Sequence, residues 1–368
     1  MKSVSVIIPL FNKEAYVADC LASLCAQTHK PQEVIIVDDG SSDASLDIAY
    51  SARNSFEEAD IALQIIENKH AGVSHALNTG LALAHGTFVT RVDADDIVSP
   101  LWLETLLSCV KTSKPISVRC THKRIASSYR ISSNVLKHDS AKTHQQDARV
   151  SRGRSGDGAS LLQKSGNELY HQLFAAIDTN LMSACGTLYV REDLTREGIK
   201  FDETLTHTED LLFNALYFAH GNPAILAPEP LYYYRQVKDS LSHKTRNLFD
   251  TITKLDGALT QLATSAATQE IASDNEAAML GYLCCYYTIA MLDLEQVTNA
   301  QEFSSTIEHA FVSSSIESVF KRAQELHAVS QTALRLYDFA AKKQYAQLRL
   351  AARTINFGRS IRRAIKAL

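Results

Sequence analysis

The stretch "VSVIIPLFNKEAYVADCLASLCAQTHKPQEVIIVDDGSSD" (residues 4–43) decides the fold. It opens on "VSVII" (4–8), a short run of β-branched residues that reads as a strand. After the polar break "PLFNKE", apolar residues recur at helical spacing. Val17, Leu21, Leu24 and Cys25 share one face over about 14–27. A second Val/Ile run, "EVIIV" (33–37), follows. Strand, helix and strand in such quick succession predict a βαβ unit with parallel strands.

The pattern then repeats. "LQIIE" (63–67) and "TFVTRV" (87–92) read as further strands, and Val73, Leu77, Gly80, Leu81 and Ala84 mark a helix over about 72–85. The expectation is an α/β fold, a Rossmann-like and mostly parallel sheet with helices on both faces. Ligands of such sheets bind beyond the carboxyl ends of the strands. Four loops lie there: "PLFNKE" (9–14), "DDGSSD" (38–43), "NKHAG" (68–72) and "DADD" (93–96). They should converge on one crevice.

Further along, "SPLWLETLLSCV" (99–110) predicts a helix. Residues 121–165 are rich in Ser, Lys, Arg, His and Gln, and read as a mobile lid or a plain insertion. "CGTLYV" (185–190) and "PLYYYR" (230–235) read as strands, and "EDLLFNALYFAH" (209–220) as a helix. Beyond about residue 245 only helical patterns remain. Two domains are expected, a catalytic α/β domain at 1–243 and a smaller α-helical one at 244–368.

Composition narrows the function. The chain has 368 residues, 45% apolar and 21% charged, as in an ordinary soluble protein. A net charge of −4 gives no reason to expect nucleic acid as a partner. "MKSVSVIIPLF" does not read as a secretory leader, and no apolar run reaches the ~18 residues of a membrane span. Seven cysteines without ligand-like spacing read as reduced and mostly buried in a cytoplasmic protein, and the lack of a Cys-x-x-Cys or paired-His pattern argues against zinc.

Two acidic turns carry the chemistry. In "VTRVDADDIVSP" (89–100), Asp93, Asp95 and Asp96 crowd into four positions. Such a cluster is either a polar loop and helix cap or a divalent-cation site. Asp93 and Asp95 lie two apart and share a face in extended chain, within reach of one ion. In "VDDGSSD" (37–43), Asp39 suits a ribose or base donor, while Ser41, Ser42 and Asp43 are all capping types. Phe11 either stacks on a flat base or belongs to the core.

Taken together, Pro9 to Asn12, Asp38–Asp39–Gly40, Gly72 with Asn78, Gly86 before a strand, and Asp93-x-Asp95 closely resemble the family 2 glycosyltransferases of the GT-A fold. The resemblance is strong over about 3–110 and weaker over about 180–245. It implies that Pro9, Leu10, Phe11, Asn12 and Asp39 hold the base and ribose of a nucleotide-sugar, most often a UDP-sugar. Asn68, Gly72 and Asn78 would line the same pocket. Asp93 and Ala94 would sit near ribose and donor sugar. Asp95, with Asp93, would be the metal ligand for Mn²⁺ or Mg²⁺. Many relatives carry Arg where this chain has Leu77, which leaves base identity open. "HTEDLLFN" (207–214) resembles the family's acidic pair, so Asp210 would be the general base and Glu209 would orient the acceptor. "YYYRQVKDSLSHK" (232–244) resembles the closing segment, with Arg235 and Ser240 on the diphosphate. His243 is either a further metal or phosphate contact or an ordinary surface residue.

The last thirty residues carry Lys342, Lys343, Arg349, Arg353, Arg359, Arg362, Arg363 and Lys366 and no acidic residue. Intermixed with Leu348, Leu350, Ile355, Phe357, Ile361 and Ile365, they form a basic amphipathic helix that either lies on an anionic membrane or packs on the protein.

The leading expectation is a metal-dependent, inverting glycosyltransferase acting on a cell-surface glycan: capsule, lipopolysaccharide or teichoic acid. Its partners would be a UDP-sugar and a glycan or lipid-linked acceptor. Its location would be cytoplasmic, with the inner face of the plasma membrane as an option, and self-association stays open. A nucleotidyltransferase is the alternative, weakened because "PLFNKE" lacks the glycines such a loop needs. A non-catalytic sugar-nucleotide-binding protein is weakened by intact Asp95, Asp210 and Arg235.

Overall fold

The computed structural model describes residues 2–130, 161–175, 179–205, 207–237, 248–313 and 315–367. Most of the segment read as a lid, and Ser240 and His243, lie outside the described residues. Two compact units are resolved, one of residues 1–169 with 179–240, the other of residues 170–178 with 241–368.

The first unit is built on β1 (Val4–Leu10), β2 (Glu33–Asp38), β3 (Ala62–Glu67) and β4 (Phe88–Arg91). β1 pairs in parallel with both β2 and β4, and β2 pairs in parallel with β3. The order β3-β2-β1-β4 therefore reverses its sequence direction between β1 and β4, the switch point beyond whose strand ends ligands of such sheets bind. The connections are α1 (Val17–Cys25), α2 (Ser45–Ser51), α3 (Arg53–Glu58) and α4 (Val73–Leu83).

Strand alternation explains why both faces of the sheet are covered. Val4, Val6, Ile8 and Leu10 of β1 join a core with Leu21 and Leu24 of α1 and with Trp102 and Leu103. The next residue in alternation, Ile7, points the other way and meets α4 at Gly80, where an added Cβ would lie 2.4 Å from its side chain. Gly86 has the same role at the sheet edge, since a Cβ there would come within 2.6 Å of the Ser5 nitrogen.

The sheet continues with β5 (Ile97–Val98), β6 (Ser117–Ala126), β7 (Leu162–Lys164), β8 (Thr187–Val190) and β9 (Ala224–Gln236). β8 runs antiparallel to β4 and β6, whereas β6 and β9 are parallel. β6 reaches into the stretch read as irregular. Its outer half is exposed and polar, which hid its period. Around these strands lie α5 (Trp102–Cys109), α7 (Thr179–Met182), α8 (Arg191–Glu197) and α9 (Glu209–Ala219); α6 (Gly166–Ala175) begins in this unit and continues in the second.

The second unit is helical: α10 (Leu248–Thr264), α11 (Gln269–Asp274), α12 (Glu276–Val297), α13 (Ala300–Ser313), α14 (Ile316–Glu325), α15 (Gln331–Ala341) and α16 (Tyr345–Ala367). Contrary to the sequence expectation, one stretch, Glu276–Glu295, meets the length and composition of a membrane span. Its hydropathy comes from Leu, Met, Cys and Ala spread among tyrosines rather than from one aliphatic run, and half of it is buried in the protein. The basic helix α16 is anchored at its start: Leu348 and Ala352 are buried, Arg353 donates to Glu295 at 2.6 Å, and Arg349 donates to the Thr298 carbonyl at 2.7 Å. The side chains from 357 onward, on which the membrane reading depends, lie outside the described residues. All seven cysteines are free, five of them buried.

Candidate active site

The loops after β1 and β2 are laced together. The Ser42 N–H donates to Asn12 Oδ1 at 2.8 Å, and the Asn12 N–H donates to Ser41 Oγ at 3.1 Å. Asn12 itself has φ +50°, a conformation that Asn tolerates better than most residues. Asp38 closes its own turn by accepting from the Gly40 and Ser41 N–H groups at 3.1 and 3.0 Å.

Asp39 reaches across to the next loop. Its oxygens accept from the Ala71 N–H at 2.8 Å and the Gly72 N–H at 3.0 Å, with His70 Nδ1 at 2.8 Å. Gly72 has φ +101°, where a side chain would be strained, so this clamp needs a glycine. Phe11 is not a core residue: it is 40% exposed, and its ring stacks on His70 with centroids 4.4 Å apart. Pro9 and Leu10 end β1, with Leu10 fully buried. Asn68 contacts Thr79 at 3.3 Å. Asn78 turns away from this cluster. It donates to the Phe201 carbonyl at 2.9 Å and to Glu203 at 2.8 Å, and accepts from the Phe201 N–H at 2.9 Å. Leu77 is buried in α4.

The three aspartates of "DADD" do not share a face. The Asp96 N–H donates to the Asp93 carbonyl at 2.9 Å, so the segment is a turn rather than extended chain. The carboxylates therefore diverge, each to its own partner. Asp95 pairs with Lys13 at 2.5 Å. Asp93 pairs with Arg91, and its N–H donates to the Tyr232 hydroxyl at 3.1 Å. Asp96 turns inward, accepting from the Tyr232 hydroxyl and the Arg235 N–H, each at 2.7 Å. Burial, then the charges of Asp93 and Asp95, push the Asp96 carboxyl well above the usual range. Ala94 is buried beneath the turn.

Arg91, the last residue of β4, is the link to a distant motif. Besides Asp93 it holds Asp210, with Nη1 2.5 Å from Oδ1. Asp210 sits in the first turn of α9 and also accepts from the Ala184 N–H at 3.1 Å. Asn214, one helical turn on, fixes that loop by donating to the Leu181 and Ser183 carbonyls at 3.0 and 3.1 Å. Thr208, just before α9, has φ +66°. For a β-branched residue this is a strained conformation of the kind found at functional sites. Burial raises the Asp210 carboxyl despite the opposing pull of Arg91. Burial, and then Asp210, lift Glu209 to about 7.

Arg235 is fully buried, paired with Asp19 at 3.0 Å and lying over the Tyr16 ring at 5.0 Å. Its Nε and Nη1 have no hydrogen-bond partner among the described residues. Lys13 and Arg91 were not singled out from the sequence. The signal was present in each case: a lysine two residues beyond the exposed Phe11, and an arginine inside the otherwise uncharged strand "FVTR".

No group of three or more His, Cys, Asp or Glu side chains is arranged to hold a metal among the described residues. A divalent ion that keeps phosphate oxygens needs only one or two carboxylates. Asp95 fits that demand as a hard-oxygen donor whose only protein partner among the described residues is Lys13.

A Rossmann-like sheet with acidic turns at the carboxyl ends of β2 and β4, extended by an antiparallel half and followed by helices, is the GT-A architecture. Comparison with known proteins agrees. The model of glycosyl transferase family 2 matches residues 5–165, so that segment carries a family 2 glycosyltransferase domain. The chain is 30% identical over 240 residues to the uncharacterized glycosyltransferase EpsJ of Bacillus subtilis, an alignment that covers 65% of this chain and 62% of EpsJ. The chain thus spans less than two thirds of that relative. It is 43% identical over 103 residues to glycosyltransferase GlyA of Streptococcus pneumoniae, covering 28% of this chain and 14% of GlyA. Among solved structures it resembles S. aureus TarS residues 1–349 in complex with UDP-GlcNAc, with a TM-score of 0.68 and 18% identity over 97% of this chain and 92% of that one. It also resembles the Pyrobaculum calidifontis mannosyltransferase PcManGT in complex with GDP-Man and Mn²⁺, with a TM-score of 0.51 and 17% identity over 96% and 86% of the two chains.

Proposed function

We propose that this chain is an inverting glycosyltransferase that moves a hexose or N-acetylhexosamine from a UDP-sugar to a hydroxyl of a cell-surface glycan. One observation carries the reading. A single guanidinium, Arg91, ties the acidic turn after β4 to the acidic first turn of α9, more than a hundred residues away. Donor-side and acceptor-side carboxylates are thereby held in one site.

In this reading the Phe11 face takes the base, and Asp39 and the 68–72 loop take the ribose. Asp210 accepts the proton of the acceptor hydroxyl as that oxygen attacks the anomeric carbon opposite the diphosphate. The bond from that carbon to the diphosphate oxygen breaks, and UDP leaves with the electron pair. A neutral hydroxyl is a poor nucleophile, so a positioned base contributes roughly 10²–10⁴-fold. Arg91 fixes the base, and Glu209 orients the acceptor. Asp95 would hold Mn²⁺ or Mg²⁺, which would neutralise charge on the departing diphosphate, while Asp93 stays with Arg91. The UDP-GlcNAc complex of TarS supports the choice of UDP, and the Mn²⁺ complex of PcManGT supports the metal. A cytoplasmic site of action, at the inner membrane face, suits such an acceptor.

The test is a screen of UDP-sugars for Mn²⁺-dependent UDP release, run alongside Asp210→Asn. The variant should lose transfer while keeping UDP affinity. If no UDP-sugar is bound or turned over, the reading fails; if Asp210→Asn loses UDP binding, Asp210 belongs to the donor pocket instead.

A further inference from the structure

The helical unit holds a groove of about 420 Å³ between α10, α11, the start of α12, and α14. Asp256 of α10 forms part of its wall. This carboxyl is 6% exposed and makes no hydrogen bond or ion pair with any described residue. Burial alone pushes it up to about 6. A carboxyl in a groove wall with no protein donor is an open acceptor for a ligand that donates to it.

The rest of the lining narrows that ligand. Two of the lining hydroxyls have already spent their protons: Ser318 Oγ donates to the Ser315 carbonyl at 2.7 Å, and Thr264 Oγ1 donates to the Thr260 carbonyl at 3.1 Å. They face the groove as acceptors. The one cation of the lining, Arg322, is neutralised by Glu276 at 3.0 Å and Glu325 at 3.1 Å. An anion such as a phosphate or nucleotide therefore finds no free positive charge. The remaining surface, Met279, Leu280 and Val319 among it, is apolar. A molecule with many donors along its edge and an apolar face matches this lining, and a sugar ring has that form.

We propose that the groove is a carbohydrate-binding subsite of the helical unit, holding an uncharged, hydroxyl-rich ligand (a sugar ring or sugar alcohol) through Asp256. It does not depend on the transfer reaction proposed above. With no aromatic platform in the lining, affinity should be weak, on the order of millimolar.

The test uses the full chain carrying Asp210→Asn and saturated with UDP, so that the transfer site is inert and occupied. Saturation-transfer NMR is recorded with glucose, N-acetylglucosamine and ribitol, and with glucose 6-phosphate as the anionic control. At least one neutral probe should give signal, and Asp256→Leu should reduce that signal at least about fivefold. The same substitution should raise the melting temperature, because it removes a buried unpartnered carboxyl. Ser318→Trp, on the exposed rim, fills the groove without touching the core and should reduce the signal likewise. Absence of signal for all three neutral probes overturns the proposal. So does signal that survives both variants, or tighter binding of glucose 6-phosphate than of glucose. None of these outcomes bears on UDP release, which tests the transfer reaction separately.

Discussion

Arg91 stands between Asp93 and Asp210, with its Nη1 2.5 Å from the Asp210 carboxylate and its other terminal nitrogen on Asp93. Its side chain is 7% exposed, so the pairing is buried and the two carboxylates depend on it. Breaking such a pair from one side costs about 3–5 kcal/mol, because the carboxylates stay behind unpaired. Arg91→Met should therefore lower the melting temperature and reduce kcat by about 10²-fold or more. UDP affinity should change less, within roughly threefold, if Asp93 keeps its place. Parallel kinetics and calorimetric titration with UDP decide this; an unchanged kcat would remove Arg91 from the site.

Lys13 occupies Asp95, the residue assigned to the metal. Burial works against the lysine charge, but Asp95, Asp93 and Asp96 more than offset it and raise its pKa. In the proposed reading the ammonium would compete with the ion for Asp95. Lys13→Ala should tighten Mn²⁺ binding to the nucleotide-free protein by about fivefold, the worth of a part-exposed ion pair near 1 kcal/mol. Electron paramagnetic resonance of free Mn²⁺ reads this directly, and unchanged affinity would show that Asp95 is not the ion's ligand.

Asn78 tests a residue that the resemblance placed in the donor pocket. Its three hydrogen bonds run to Phe201 and Glu203 instead. Asn78→Ala leaves backbone groups of residue 201 without that partner, and should cost about 1–3 kcal/mol of stability. UDP affinity should stay within twofold, by roughly 0.4 kcal/mol. A large loss of UDP affinity with an unchanged melting temperature would return Asn78 to the pocket.

The parallel half of the sheet was legible because period and composition agree there: β1 and β2 are buried runs rich in Val and Ile, and β4 is a short buried run opened by Phe88 and Val89. The exposed end of β6 carries no such period. In the site, residue types at the ends of strands could be read, but pairings could not. The turn that separates Asp93 from Asp95 is set by a hydrogen bond within "DADD", and an extended reading hid it. Arg91 stood out as a charge inside a buried strand, but its role could not be read because its partner, Asp210, lies far along the chain. Asp256 and its groove had no signal at all, since residues from four separate helices build it together.

Glu209 gives the pH prediction. Burial, then the neighbouring Asp210, raise it from an ordinary 4.5 to about 7. The folded protein therefore binds a proton more tightly here than the unfolded chain does. The corresponding stability is complete below about pH 4.5 and is lost as pH rises through about 7. Activity should move the other way. Ionising Glu209 adds negative charge beside Asp210, which makes Asp210 a stronger base for the acceptor proton. kcat should accordingly rise with pH through about 7, while the melting temperature falls over the same interval. Glu209→Gln cannot ionise, so both changes should flatten together. Loss of the kcat rise alone would assign the titration to the acceptor complex, and retention of both would place the titrating group elsewhere.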